Sequence, residues 1–185
     1  MSLWGNDIKP KNLTDAEKKE VYATKQGWVR EAGSILSGNG NTSADPEVLV
    51  AISNLSANMG AANITEIEFV TTSFDKSDGG NIDVRVRFNE PVTVTGTPQL
   101  TITNDTPSRN LTADYLSGST TNEFIFRETI AAANAATNAG DVLSIGANAT
   151  ALNGGTIKDT GEGTVAAITN VASIGTAAGT ITVAA

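Results

Sequence analysis

The segment Ile82-Asp83-Val84-Arg85-Val86-Arg87-Phe88-Asn89 constrains this chain more than any other. Its apolar residues, Ile82, Val84, Val86 and Phe88, alternate strictly with Asp83, Arg85, Arg87 and Asn89. Successive side chains of a strand point to opposite faces, so a period of two marks a half-buried strand. Shorter runs of the same kind lie on either side: Ile67–Phe69, Val92–Val94, Leu100–Ile102, Leu111–Tyr115, Phe124–Phe126 and Leu143–Ile145. Between them stand turn formers: Asp78-Gly79-Gly80, Gly96-Thr97-Pro98, Asn104 to Pro107, Ser117-Gly118-Ser119 and Asn153-Gly154-Gly155. Glycine supplies positive φ, proline a fixed φ, and asparagine a local hydrogen bond. About seven short strands at this spacing predict an all-β fold in which two sheets bury their apolar faces against each other. Glu66, Glu68 and Glu123 sit on or beside these strands and are expected to face water. Glu90-Pro91 reads as a strand exit, because proline lacks a donor and needs an edge or a bulge.

Composition changes near residue 60. Residues 1–31 mix both signs of charge and hold Trp4, Trp28 and Tyr22, whereas every Phe lies between residues 69 and 126. The division expected is therefore an N-terminal module over 1–60, a sandwich over 64–162 and an extension over 163–185. Within the module, Thr14 and Glu17 form a capping box for one short helical turn. Val21–Thr24 and Trp28–Val29 read as strands around a turn, residues 37–46 as a loop, and Glu47–Ile52 as a further strand. Asn54–Asn63 is linker-like. Ile130–Ala139 reads as a connection with at most one turn of helix. The tail alternates weakly and offers one or two strands that lean on a neighbour.

Chemistry is bounded by what the chain lacks. It contains no histidine and no cysteine. This removes Ser-His-Asp and Cys-His nucleophiles, zinc and copper sites of the usual kind, and disulfides. The paired carboxylates Glu66/Glu68 and Glu123 show no sign of a glycosidase arrangement. Neither an enzyme nor a cofactor is expected. Asp75 and Asp78 cluster in a turn, where a solvated turn is favoured over a Ca²⁺ loop, and Asp159 is read in the same way. A net charge of −8 repels phosphate backbones, so nucleic acid is not an expected partner. No apolar run is long enough to cross a membrane as a helix. The N-terminus has neither the basic region nor the apolar segment of a secretory signal, which points to synthesis in a cytoplasm. The aromatic residues Trp4, Tyr22 and Trp28 serve either as the core of the N-terminal module or as anchors at a subunit interface, where such residues are enriched.

Two resemblances add to this reading. The run from Val84 through Glu90-Pro91-Val92 and Gly96-Thr97-Pro98 to Ile102, continued by Asp114-Tyr115 and closed by Leu152-Asn153-Gly154-Gly155 and Lys158-Asp159, resembles a bacterial immunoglobulin-like repeat. It covers residues 64–162, implies an Ig-like sandwich, and says little about function because the module is widely reused. The opening Met1-Ser2-Leu3-Trp4-Gly5-Asn6, then Lys9-Pro10-Lys11, Leu13-Thr14-Asp15, Gly27-Trp28-Val29 and Glu47–Ile52, resembles small virion structural proteins of tailed phages, notably cyanophages. That resemblance implies a capsid decoration protein, assembled in the host cytoplasm and held on the head through its N-terminal module. Its implied partners are the major capsid protein or other virion proteins, further copies of itself, and host surface glycans. The alternatives are a tail, neck or fibre-associated virion protein and a bacterial Ig-like adhesin module.

Overall fold

A computed structural model describes residues 20–32 and 45–185. Trp4, the capping box and all but the last two residues of the 37–46 loop lie outside the described residues.

The chain begins with a three-stranded antiparallel sheet of β1 (Val21–Thr24), β2 (Gly27–Arg30) and β3 (Glu47–Ala51), in the order β1-β2-β3. The hairpin turns where Thr24 pairs with Gly27. Gly27 has a φ of +135°, and a Cβ there would stand 2.0 Å from the Val50 carbonyl oxygen. Only glycine combines that backbone with so close an approach of β3. Val21, Ala23 and Trp28 form a small core under this sheet, covered by Leu49, Val50, Leu55 and Met59.

The larger unit comprises β4 (Ile64–Phe69), β5 (Phe74–Asp75), β6 (Gly80–Thr95), β7 (Gln99–Asn104), β8 (Leu111–Ser117), β9 (Thr121–Ile130), β10 (Val142–Ser144), β11 (Thr150–Ala151), β12 (Thr156–Asp159) and β13 (Ile181–Ala184), with one helix, α1 (Ala172–Ala177), before β13. Hydrogen bonding runs β12-β6-β9-β8-β7-β10-β13-β5, with β4 also on β6 and β11 also on β7. All pairs are antiparallel except β13 with β5. The path curls so that the inward faces meet in one core, an all-β, sandwich-like fold. The expected inward face of β6 is there: Ile82, Val84, Val86 and Phe88 are all buried. Phe88 and Tyr115 pack on Phe124 with ring centroids 5.2 and 5.5 Å apart.

Three features depart from the expectations. First, β6 does not stop at Glu90-Pro91 but runs on to Thr95. Its first half pairs with β4 and β9 and its last residues with β12, and the register against β9 shifts between Arg87 and Val92. The bulge houses Pro91, which donates to no ladder. Second, Glu66, Arg87 and Asn89 do not face water; they are buried on the polar side of the sheet. Third, the tail contributes more than loose strands. Ala166, Ile181 and Val183 belong to the main core, and β13 fits between β10 and β5. The 130–139 connection carries turns and no helix.

Candidate functional site

The polar face of β6 is where the small sheet meets the large one. Register sets up the chemistry. Glu66 lies opposite Arg87, Glu68 opposite Arg85, and Arg87 opposite Glu123 on the other neighbour. Opposite charges directly across a ladder attract. Glu31, which follows β2, enters from the small sheet. Arg87 thus binds three glutamates: Nη2 to Glu31 at 2.9 Å, Nη1 to Glu66 at 3.1 Å, and Nε to Glu123. Arg85 pairs with Glu68 and reaches Glu123 at 3.9 Å. Nearby, Arg127 grips both carboxylate oxygens of Asp83 at 2.7 and 2.6 Å. The guanidinium's planar fork suits such multiple pairing.

Burial is what makes the Arg87 cluster consequential. The Arg87 and Glu66 side chains are only 8% and 6% exposed. Burial works against the Arg87 charge, yet Glu123, Glu31 and Glu66 outweigh it and hold its pKa above the ordinary value. Among the described residues four glutamates face two arginines, so the acids are in excess by two. Glu31 bears that imbalance: burial, assisted by Glu123 and Glu20 and opposed by Arg87, raises its pKa to about 7. Glu31 is therefore a proton donor or acceptor near neutral pH. A cleft of about 380 Å³ lined by Glu31, Arg85, Arg87, Asn122 and Glu123 opens beside it.

A second acidic pair lies along the same seam. Glu90, fully buried at the β6 bulge, faces Asp159 at the end of β12. Burial, then Asp159 and Glu162, raise the Glu90 pKa to about 8. A cleft of about 210 Å³ opens over Asp159, with Thr24, Lys25 and Ser56 on one side and Pro91, Thr120 and Gly161 on the other.

The aromatic candidates divide. Trp28 is 5% exposed and fills the small core, so the core reading describes it in this chain. Tyr22 is half-buried beside Glu31 and Glu123, and burial followed by those two charges raises its phenol pKa. Trp4 lies outside the described residues. Asp75 accepts from the Ser77 amide at 2.8 Å and the Ser77 hydroxyl at 2.6 Å, which lowers its pKa and ties it into a turn. No group of three or more acidic side chains is gathered for a metal among the described residues. Among them, too, no helix is long and apolar enough to cross a membrane.

No family model, curated protein or solved structure matches the chain. The carboxylates of the Arg87 cluster are each held by a guanidinium, an arrangement suited to joining two sheets.

Sequence reading missed Glu31 and the role of Glu66. The signal lay in the complementary charges of Glu66, Glu68, Arg85, Arg87 and Glu123. It becomes visible only when the register of β4, β6 and β9 is known.

Proposed function

We propose that this chain is a structural, non-catalytic virion protein of a tailed phage, a capsid decoration protein in which the N-terminal sheet attaches and the Ig-like sandwich projects. The work is binding and geometry. The observation that carries this reading is the outer strand of the small sheet. β3 is hydrogen-bonded to β2 alone among the described strands. Val48 and Ile52, on and just after it, are 47% and 37% exposed. An open edge with apolar side chains is a template for a partner's strand. The buried Arg87 cluster supports the same reading, because it gives the sandwich a stiff link to the attachment sheet. The resemblance of residues 1–55 to small virion proteins supplies the partner class, the major capsid protein or a neighbouring virion protein.

The double variant Val48→Asp/Ile52→Asp tests this edge. Exposed substitutions of this sort change stability by about 0.5 kcal/mol or less each. Losing two apolar anchors at an interface costs on the order of tenfold to a hundredfold in affinity. The variant is therefore expected to melt close to the parent and to bind purified particles lacking the protein at least tenfold more weakly in a co-sedimentation assay. Undiminished binding would remove β3 as the attachment edge.

A further inference from the structure

Glu90 poses a problem that the fold leaves unsolved. The residue is fully buried, and neither of its carboxylate oxygens has a hydrogen-bond donor. On Asp159, the acidic side chain acting on it, Oδ2 is buried and equally unpartnered. The other Asp159 oxygen is committed: Oδ1 accepts from the Glu162 amide at 3.0 Å and from the Gly161 amide. That turn fixes the loop after β12 and leaves Oδ2 for Glu90. The charged groups acting on Glu90 are Asp159 and Glu162, both acidic. An unpaired buried carboxylate is costly, so such a pair must take up a proton or a cation.

We propose that Glu90 and Asp159 form a divalent-cation site and that its preferred ion is calcium. The donor set consists only of oxygen. Glu90 offers both carboxylate oxygens and Asp159 offers one. The Ser56 hydroxyl lines the adjoining cleft, which gives water a path to Asp159. Hard cations take such ligands, whereas zinc and copper favour the imidazole and thiolate groups absent from this chain. Calcium accepts six to eight oxygens in irregular geometry, including a bidentate glutamate, while magnesium demands a near-ideal octahedron. With two protein carboxylates and water completing the shell, the affinity belongs to the weak class, a Kd of roughly 0.1–1 mM. The ion would clamp the β6 bulge to the end of β12, beside Thr24, Lys25 and Ser56 of the N-terminal part.

The test uses the full chain at pH 7, with thermal unfolding and titration calorimetry against CaCl₂. MgCl₂ and NaCl at matched ionic strength control for general screening of an acidic protein. Calcium at 10 mM is expected to raise Tm by about 4–7 °C, saturably and with one ion per chain. Glu90→Gln and Asp159→Asn are expected to lose this response. Both should fold, because an amide in either place can donate to the remaining carboxylate. Their Tm in EDTA should match or exceed that of the parent. A parent indifferent to calcium would mean that a proton alone neutralises the pair and would overturn the proposal. An undiminished calcium response in both variants would place the ion elsewhere, the Asp75–Asp78 turn included, and would overturn it equally.

Discussion

Arg87→Ala is expected to lower the unfolding free energy by about 3–5 kcal/mol, the range for breaking a buried ion pair by removing one partner. The loss follows from what remains. Glu66, nearly fully buried, loses the guanidinium 3.1 Å from it, and Glu31 and Glu123 lose their contacts with the same group. Arg87→Lys should fall in between, since a single ammonium cannot reproduce the guanidinium's three-way contact. A second substitution provides the diagnostic. Replacing both partners, as in Arg87→Met/Glu66→Leu, removes the buried carboxylate together with its guanidinium, so the double variant should be more stable than Arg87→Met alone. Urea unfolding of the parent and the four variants measures this. A loss below about 1 kcal/mol for Arg87→Ala would mark the cluster as a surface network of the weak kind.

The second large effect is on pH. In EDTA, Tm is expected to fall between pH 5.5 and pH 8.5 by roughly 10–20 °C, corresponding to about 5 kcal/mol for a chain of this size. The direction follows from two raised carboxyl groups, Glu31 at about 7 and Glu90 at about 8, against an ordinary value of 4.5. The folded state holds their protons more tightly than the unfolded chain does. Their stabilisation is complete below the ordinary value and is lost as pH rises through 7 and 8. Asp75 and Asp141 act oppositely. Their pKa values are lowered, so their contribution is present above the ordinary carboxylate range and lost in acid. The stability maximum should therefore lie near the ordinary carboxylate range, at about pH 4–5. Glu90→Gln should flatten the upper part of the curve and leave the portion due to Glu31. A Tm constant or rising from pH 5.5 to 8.5 would contradict the assignment of both groups.

These effects concentrate on one seam, and that seam separates what was legible in the sequence from what was not. The strands could be read because their signal is local. Ile82 to Phe88 alternate, and Asp78-Gly79-Gly80 and Ser117-Gly118-Ser119 break the chain where the turns occur. What covers a polar face is not a local matter. Arg87 and Asn89 alternate correctly with Val86 and Phe88, but both are buried, and Glu31, more than fifty positions earlier, comes onto Arg87. The Asn89 side chain, for its part, accepts the Asn63 amide at 2.7 Å. Pro91 pointed correctly to an edge or bulge, yet it could not reveal that β6 continues beyond the bulge to pair with β12. The faint alternation of Ile181 and Val183 was visible, but its partners β10 and β5 are set by the curl of the sheet. Trp28 stood out by size alone. That it packs on Val21 and Ala23 depends on the β1–β2 register. For Glu90 the sequence offered only a glutamate before a proline, and its burial against Asp159 joins residues nearly seventy positions apart.

The junction also bears on how such a protein would carry load. Among the described residues the small sheet buries three side chains in a core of its own, too few to hold it alone. Docked on β6 through Arg87, it shares the stability of the sandwich. Under the proposed placement, force on the sandwich would reach the small sheet in part through the Arg87–Glu31 ion pair.

On the proposed function, the protein is a decoration subunit bound around the capsid. This reading is tested most directly by counting copies of the protein per purified particle with quantitative mass spectrometry. The account predicts a copy number on the scale of the major capsid protein. A count matching a small ring, as in a neck or tail, or the absence of the protein from particles, would contradict it.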